Sequence, residues 1–111
     1  MKKVIIINGD TMGKGAEKLG ATLMGSFLRK LSVAPERPDV LILYNAGVKL
    51  AAVKSAVLDA LETLYHKKVD IVACGTCVTY FKLNGKIAVG RISDMAEIAG
   101  IITRAKQVIT I

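Results

Sequence analysis

This sequence predicts an α/β fold with a mainly parallel sheet and helices on both of its faces. Three observations carry that expectation. Short apolar runs rich in β-branched residues recur along the chain, each too brief for a helix. Between them, apolar residues fall at helical spacing. Glycine, proline or asparagine marks the junctions. Strands that alternate with helices from end to end build βαβ units, in which a parallel sheet is buried on both faces.

The elements follow in order. "KKVIIIN" is the first strand, stopped by Asn8-Gly9-Asp10. "GDTMGKG" is a glycine-rich loop. From Ala16, Leu19, Leu23, Met24, Phe27, Leu28 and Leu31 have helical spacing, and Pro35 and Pro38 close that helix. "DVLILYN" is a second buried strand, and "NAGVK" turns away from it. Ser55 is placed to cap a second helix with Val57, Leu58, Leu61, Leu64 and Tyr65 on one face and Lys67-Lys68 at its end. "VDIVA" is the third strand and "CGTCVTYFKL" a short third helix. "NGK" turns into "IAVG", a short fourth strand. Ser93 or Asp94 caps the last helix, which carries Ile98, Ile101 and Ile102; Asp94 and Glu97 have capping-box spacing. "QVITI" is the terminal strand.

The 111 residues suit one domain with a core of its own, and 52% of them are hydrophobic against 23% charged, which is globular composition. No apolar run nears the roughly 18 residues of a membrane helix. Residues 1–10 look briefly like a signal peptide, but the run Val4–Ile7 is too short for its apolar region. The expected location is therefore cytoplasmic, where thiols stay reduced. The net charge of +7 invites a nucleic-acid reading. Yet the basic residues are scattered, in runs no longer than pairs, without interleaved aromatics, so neither nucleic acid nor membrane is the expected partner.

Ligands of such sheets bind at the carboxyl ends of the strands. Three segments meet there: "NGDTMGKG" beginning at Asn8, "NAGVK" and "CGTC". Cys74 stands where the third strand gives way to a helix, whose free amides and dipole favour a thiolate. Cys77 lies one turn further on and is placed to resolve a disulfide or persulfide on Cys74. Cys77 could equally be a small buried hydrophobe, whereas the position of Cys74 favours chemistry over that reading. Two cysteines and one histidine are too few for a structural zinc site. A thioredoxin-like motif is disfavoured, because both prolines lie upstream of the C-x-x-C. "GDTMGKG" is not a Walker A loop: three residues, not four, separate Gly9 from Gly13, and Gly15 replaces the hydroxyl residue. It remains either an anion cradle around Gly13 and Lys14 or a tight connection. Asn45 could bind substrate or hold its own turn as an Asx-turn, with Gly47 beside it.

The segments "NGDTMGKGAEKLGATLMGSFLRKL", "ILYNAGVKL", "VDIVACGTC" and "AVGRISDMAEI" together resemble the DsrE/DsrF-like family over nearly the whole chain. They are most similar to its YedF-like branch, sulfurtransferase-like proteins associated with selenium metabolism. The resemblance implies a three-layer αβα, DsrE-like fold with a five-stranded sheet in the order 4-3-2-1-5. It implies a persulfide carried on Cys74, with Cys77 auxiliary, the amides of Gly75 and Thr76 stabilising charge on sulfur, and no cofactor. The pocket mouth would be shaped by Asn8, Gly13, Lys14, Asn45 and Gly47. It further implies a homo-oligomer, dimer or trimer, that exchanges sulfur with a cysteine desulfurase or a TusA-like protein. YedF-like proteins usually carry a TusA-like domain; residues 1–111 are expected to be a single DsrE-like domain without one. Many members have glycine where this chain has Lys82. The alternative expectation is a non-catalytic oligomeric module that binds a small anion or a partner protein.

Overall fold

Residues 2–111 are described by a computed structural model. Its centre is a run of branched apolar residues: β1 (Lys3–Ile7), β2 (Val40–Leu43) and β3 (Asp70–Cys74) lie side by side in parallel. All four residues of β2 are buried, which is why that segment is apolar on both faces rather than alternating. The short strand β4 (Arg91–Ser93) pairs with β3, and β5 (Gln107–Thr110) pairs with β1. The sheet is five-stranded and all parallel, in the order β4-β3-β2-β1-β5, as the resemblance implied.

Strand periodicity sorts the core into two halves. Ile7, Leu41, Leu43, Ile71 and Ala73 face α1 (Glu17–Val33) and α2 (Leu58–His66), packing against Met24, Leu28, Leu61 and Leu64. Val4, Ile6, Val40, Ile42, Val72 and Cys74 face the other way, against Ile98 of α4 (Met95–Arg104). The layers are thus helix, sheet, helix, with α3 (Gly75–Tyr80) leading out of β3.

Several sequence expectations shift. The inward face of α1 is Gly20, Met24 and Leu28; Leu19 and Leu23 are exposed. Gly20 lies directly under the glycine-rich loop, where a Cβ would stand 2.8 Å from Thr11 Cβ. Tyr65 is likewise exposed. "NAGVK" is no simple turn but the start of a 3-10 helix, Asn45–Ala51. Ser55 accepts from the amide of Val57 just before α2 begins, so it holds the lead-in turn.

"IAVG" is not the fourth strand. Residues 86–88 instead run antiparallel to 51–53, with Val53 N–H donating to Lys86 O and Ala88 N–H to Ala51 O, both at 2.8 Å. Val89 enters the core, and Gly90, at φ 82°, turns the chain so close to β3 that a Cβ would meet Ile71 O at 2.6 Å. Only after that turn does pairing with β3 begin, at Arg91.

At α4, Asp94 is the cap and accepts from Glu97 N–H at 2.9 Å. Helix α3 is shorter than its apolar run suggested. It ends in a Schellman motif, with Leu83 N–H on Val78 O at 2.9 Å and Lys82 N–H on Thr79 O at 3.0 Å. Lys82 takes the left-handed position of that motif, φ 58°. The backbone shape that glycine favours is therefore kept with a lysine in it.

Candidate functional site

The site grows from the carboxyl end of β3. Cys74 is the last residue of the strand, paired with Ser93 of β4, and precedes α3 with extended backbone at φ −69°, ψ 121°. Because β3 is flanked on both sides and covered by α4, its sulfur faces the interior; Cys74 is 1% exposed. Its side chain caps no amide of α3, so Gly75 and Thr76 do not hold this sulfur in the way expected. Gly75 is instead packed against Ile92 and Ser93 O.

Cys77, one turn along α3, is only half-buried, and both thiols are free. Its sulfur accepts the backbone N–H of Asn45 at 3.0 Å. That amide is aimed by the start of the 45–51 helix. Asn45 is left-handed, φ 51°, a conformation asparagine tolerates, and its Oδ1 accepts the N–H of Ala46 at 2.8 Å. The side chain thus holds its own turn while the backbone reaches the sulfur. Gly47 clamps the turn to β1, close enough that a Cβ would stand 2.2 Å from Ile7 O. Gly47 is a packing glycine, not a surface one.

Cys77 opens into a cavity of about 310 Å³ lined also by Asn45, Thr76, Tyr80 and Phe81. Tyr80 packs edge-on against Phe81, ring centres 5.1 Å apart, and Lys49 Nζ stands 4.5 Å from the centre of the Phe81 ring. Burial pushes the Cys77 thiol up from its ordinary 9.0, the Asn45 N–H draws it back, and the neighbouring Cys74 pushes it up again. The net direction is upward, so Cys77 rests as a thiol at neutral pH and reacts through its minor thiolate.

Of the expected site residues, the cavity brings together Asn45, Thr76 and Cys77. Asn8, Gly13 and Lys14 do not line it. Their loop is drawn away toward α1, with Met12 N–H on Gly20 O at 3.0 Å. Tyr80 and Phe81 were missed by the motif reading, although their offsets of three and four from Cys77 place them beside it on a helix.

A larger cavity, about 430 Å³, lies at the opposite end of the strands, beside Val40, Asp70, Arg91 and Glu97, and is lined by no cysteine. There Arg91 joins β3 to α4, at 2.9 Å from Asp70 and 2.6 Å from Glu97. Arg91, and then Ser93, hold the Glu97 carboxyl down at about 2. Among the described residues no group of three or more His, Cys, Asp or Glu could hold a metal ion. No helix of the described residues is long and apolar enough to cross a membrane.

Solved structures share this architecture. The ychN protein of E. coli superimposes with a TM-score of 0.67 at 21% identity, covering 100% of both chains. The fold is DsrE-like. MTH1491 of Methanobacterium thermoautotrophicum, described as a protein of unknown function, gives 0.71 at 18% identity, covering 98% of this chain and 97% of that one. BT1422 of Bacteroides thetaiotaomicron, a conserved protein of unknown function, gives 0.67 at 16%, covering 98% and 94%. At these identities the likeness is one of fold. No family model and no curated protein matches the chain.

Proposed function

We propose that this DsrE-like chain is a sulfur carrier that takes a sulfane sulfur, or selenium in its place, onto the Cys74–Cys77 pair as a persulfide and passes it to a partner thiol. One observation supports this above the rest: two free thiols meet one turn apart at the carboxyl end of β3, and one of them opens into a cavity under a backbone N–H donor. The exchange balances without a cofactor. A protein thiolate attacks the terminal sulfur of the donor's persulfide, the donor's S–S bond breaks, and the donor leaves as a thiolate. The reverse exchange with an acceptor thiolate unloads it.

The partners proposed are a cysteine desulfurase or a TusA-like protein, in the cytoplasm. A homo-oligomer, dimer or trimer, is also proposed. It is supported by the exposed Val108 and Ile109 on edge strand β5 and by Ile92 and Met95 at the other edge.

The test is intact mass spectrometry of the reduced protein after incubation with a cysteine desulfurase and cysteine. A gain of one sulfur on the wild-type chain is expected. The burial of Cys74 and the raised Cys77 thiol favour a second reading, a binding module for a small anion or partner protein whose thiols do not turn over. No gain of sulfur would leave that reading in place.

A further inference from the structure

We infer that Cys77, not Cys74, is the thiol that meets the donor and carries the sulfur. The inference rests on the carrier reading above and reassigns its loaded atom. Three observations converge on Cys77.

The first is access. A partner's persulfide must approach in line with its S–S bond to within bonding distance of the attacking sulfur. Cys74 is 1% exposed and belongs to the buried apolar cluster on the α4 side of the sheet. Cys77 is the cysteine that lines the cavity.

The second is the donor group. Exchange develops negative charge on sulfur, and a backbone N–H aimed at that sulfur stabilises it. The N–H of Asn45 lies 3.0 Å from Cys77 Sγ. It is fixed by the left-handed Asn45 and by Gly47 wedged on Ile7 O, so it is in place before any reaction. Cys74, for its part, caps no amide of α3.

The third is the surround. Tyr80, 79% exposed, and Phe81 form an aromatic rim beside Cys77, with the ammonium of Lys49 over the Phe81 ring. Such a rim gives a protein partner apolar area next to the reacting sulfur. Cys74 lies in the buried cluster against which Cys77 packs, and the loading step does not use it.

In the loading step, Cys77–S⁻ attacks the terminal sulfur of R–S–SH. The Cys77 S–S bond forms, the donor S–S bond breaks, and R–S⁻ leaves; no net oxidation occurs. The Asn45 amide then bonds the sulfur that was Cys77 Sγ.

The test compares the wild type with Cys77→Ser, Cys74→Ser and Cys74→Ala, the alanine variant keeping the buried position apolar. Each is incubated with a cysteine desulfurase and cysteine and read by intact mass, with the peptide bearing the extra sulfur identified. Circular dichroism confirms that each variant is folded. The expected result is loading of the wild type and of a folded position-74 variant, with loss of at least tenfold in Cys77→Ser. Loading that survives in Cys77→Ser overturns the inference and leaves the carrier reading standing, as does loss in Cys77→Ser and in both folded position-74 variants, since Cys77 then does not suffice. No loading of the wild type overturns the carrier reading itself. Native alkylation gives an independent check if the position-74 variants do not fold. Iodoacetamide should label Cys77 of the wild type at least tenfold faster than Cys74, and equal or reversed rates refute the assignment.

Discussion

Gly47→Ala should damage both the fold and the site, and the size of the damage follows from one distance. A Cβ at position 47 would stand 2.2 Å from Ile7 O and 3.1 Å from Ile7 C. An ordinary contact begins near 3.4 Å, so the methyl group falls about 1.2 Å short of room. Neither side yields easily. Ile7 is fully buried at the end of β1 and paired with Leu43, while Gly47 is tied to Tyr44 O by its own N–H at 3.0 Å. Relief requires the 45–51 helix to lift from the sheet, an overpacking cost at the upper end of the usual range, about 3 kcal/mol. For a domain of this size that is a fall in Tm of about 12 °C. At a urea slope of about 1.5 kcal/mol/M, the midpoint falls by about 2 M. Gly9→Ala is the control, because its Cβ would meet only Thr11 O at 3.7 Å. The same displacement would carry the Asn45 amide off Cys77 Sγ, so the labelling rate of Cys77 should change in the folded variant as well. Thermal melts and urea titrations of the two variants decide the matter. A Gly47→Ala protein that melts within about 2 °C of wild type, well under the shift one kcal/mol produces, would refute the packing argument.

Three further outcomes are expected. The folded pKa of Cys77 is raised above 9.0, so its proton is held to higher pH; its labelling rate should climb about tenfold per pH unit from neutrality to pH 9 without a plateau. Stopped alkylation with peptide mass analysis measures this, and a plateau below pH 8 would contradict the burial that raises it. Lys82→Gly should stabilise the chain by about 0.5 kcal/mol, because removing a left-handed non-glycine gains about 1–2 kcal/mol and the extra freedom of glycine returns about half of that. The sign can be read from urea midpoints, and a destabilised Lys82→Gly would show that the lysine contributes something beyond its backbone shape. Glu97 is held at about 2 against an ordinary 4.5, so its contribution to stability is complete above pH 4.5 and is lost as pH falls toward 2. In acid melts Glu97→Gln should lack that part of the decline, and an identical pH profile would show that the Arg91 pair contributes nothing to folding.

The sheet was legible because its signal is local. "VIII", "VLIL" and "IVAC" are continuous apolar runs, the pattern of a strand covered on both faces, and they alternate with helical spacing. The capping pair Asp94 and Glu97 and the C-x-x-C itself were likewise plain from spacing. "IAVG" misled because a short apolar run looks alike whether it pairs in the main sheet or enters the core beside a single antiparallel bridge. The turn at Gly90 that decides between them is forced by Ile71, nineteen residues away in sequence. Leu19 and Leu23 misled because helical spacing leaves the face open, and it is Met24 and Leu28 that pack on the sheet.

The same division holds at the site. Residue spacing alone establishes that two thiols lie one turn apart where β3 meets a helix, and that the chain makes a parallel α/β sheet. Spacing along a helix fixes which residues are neighbours. Tertiary structure alone decided which thiol faces the interior and which the cavity, because that depends on α4 covering one face of β3. It alone brought the Asn45 amide, thirty-two residues away, to the sulfur of Cys77. Burial and long-range hydrogen bonds belong to the packed chain, and no local pattern of residues encodes them.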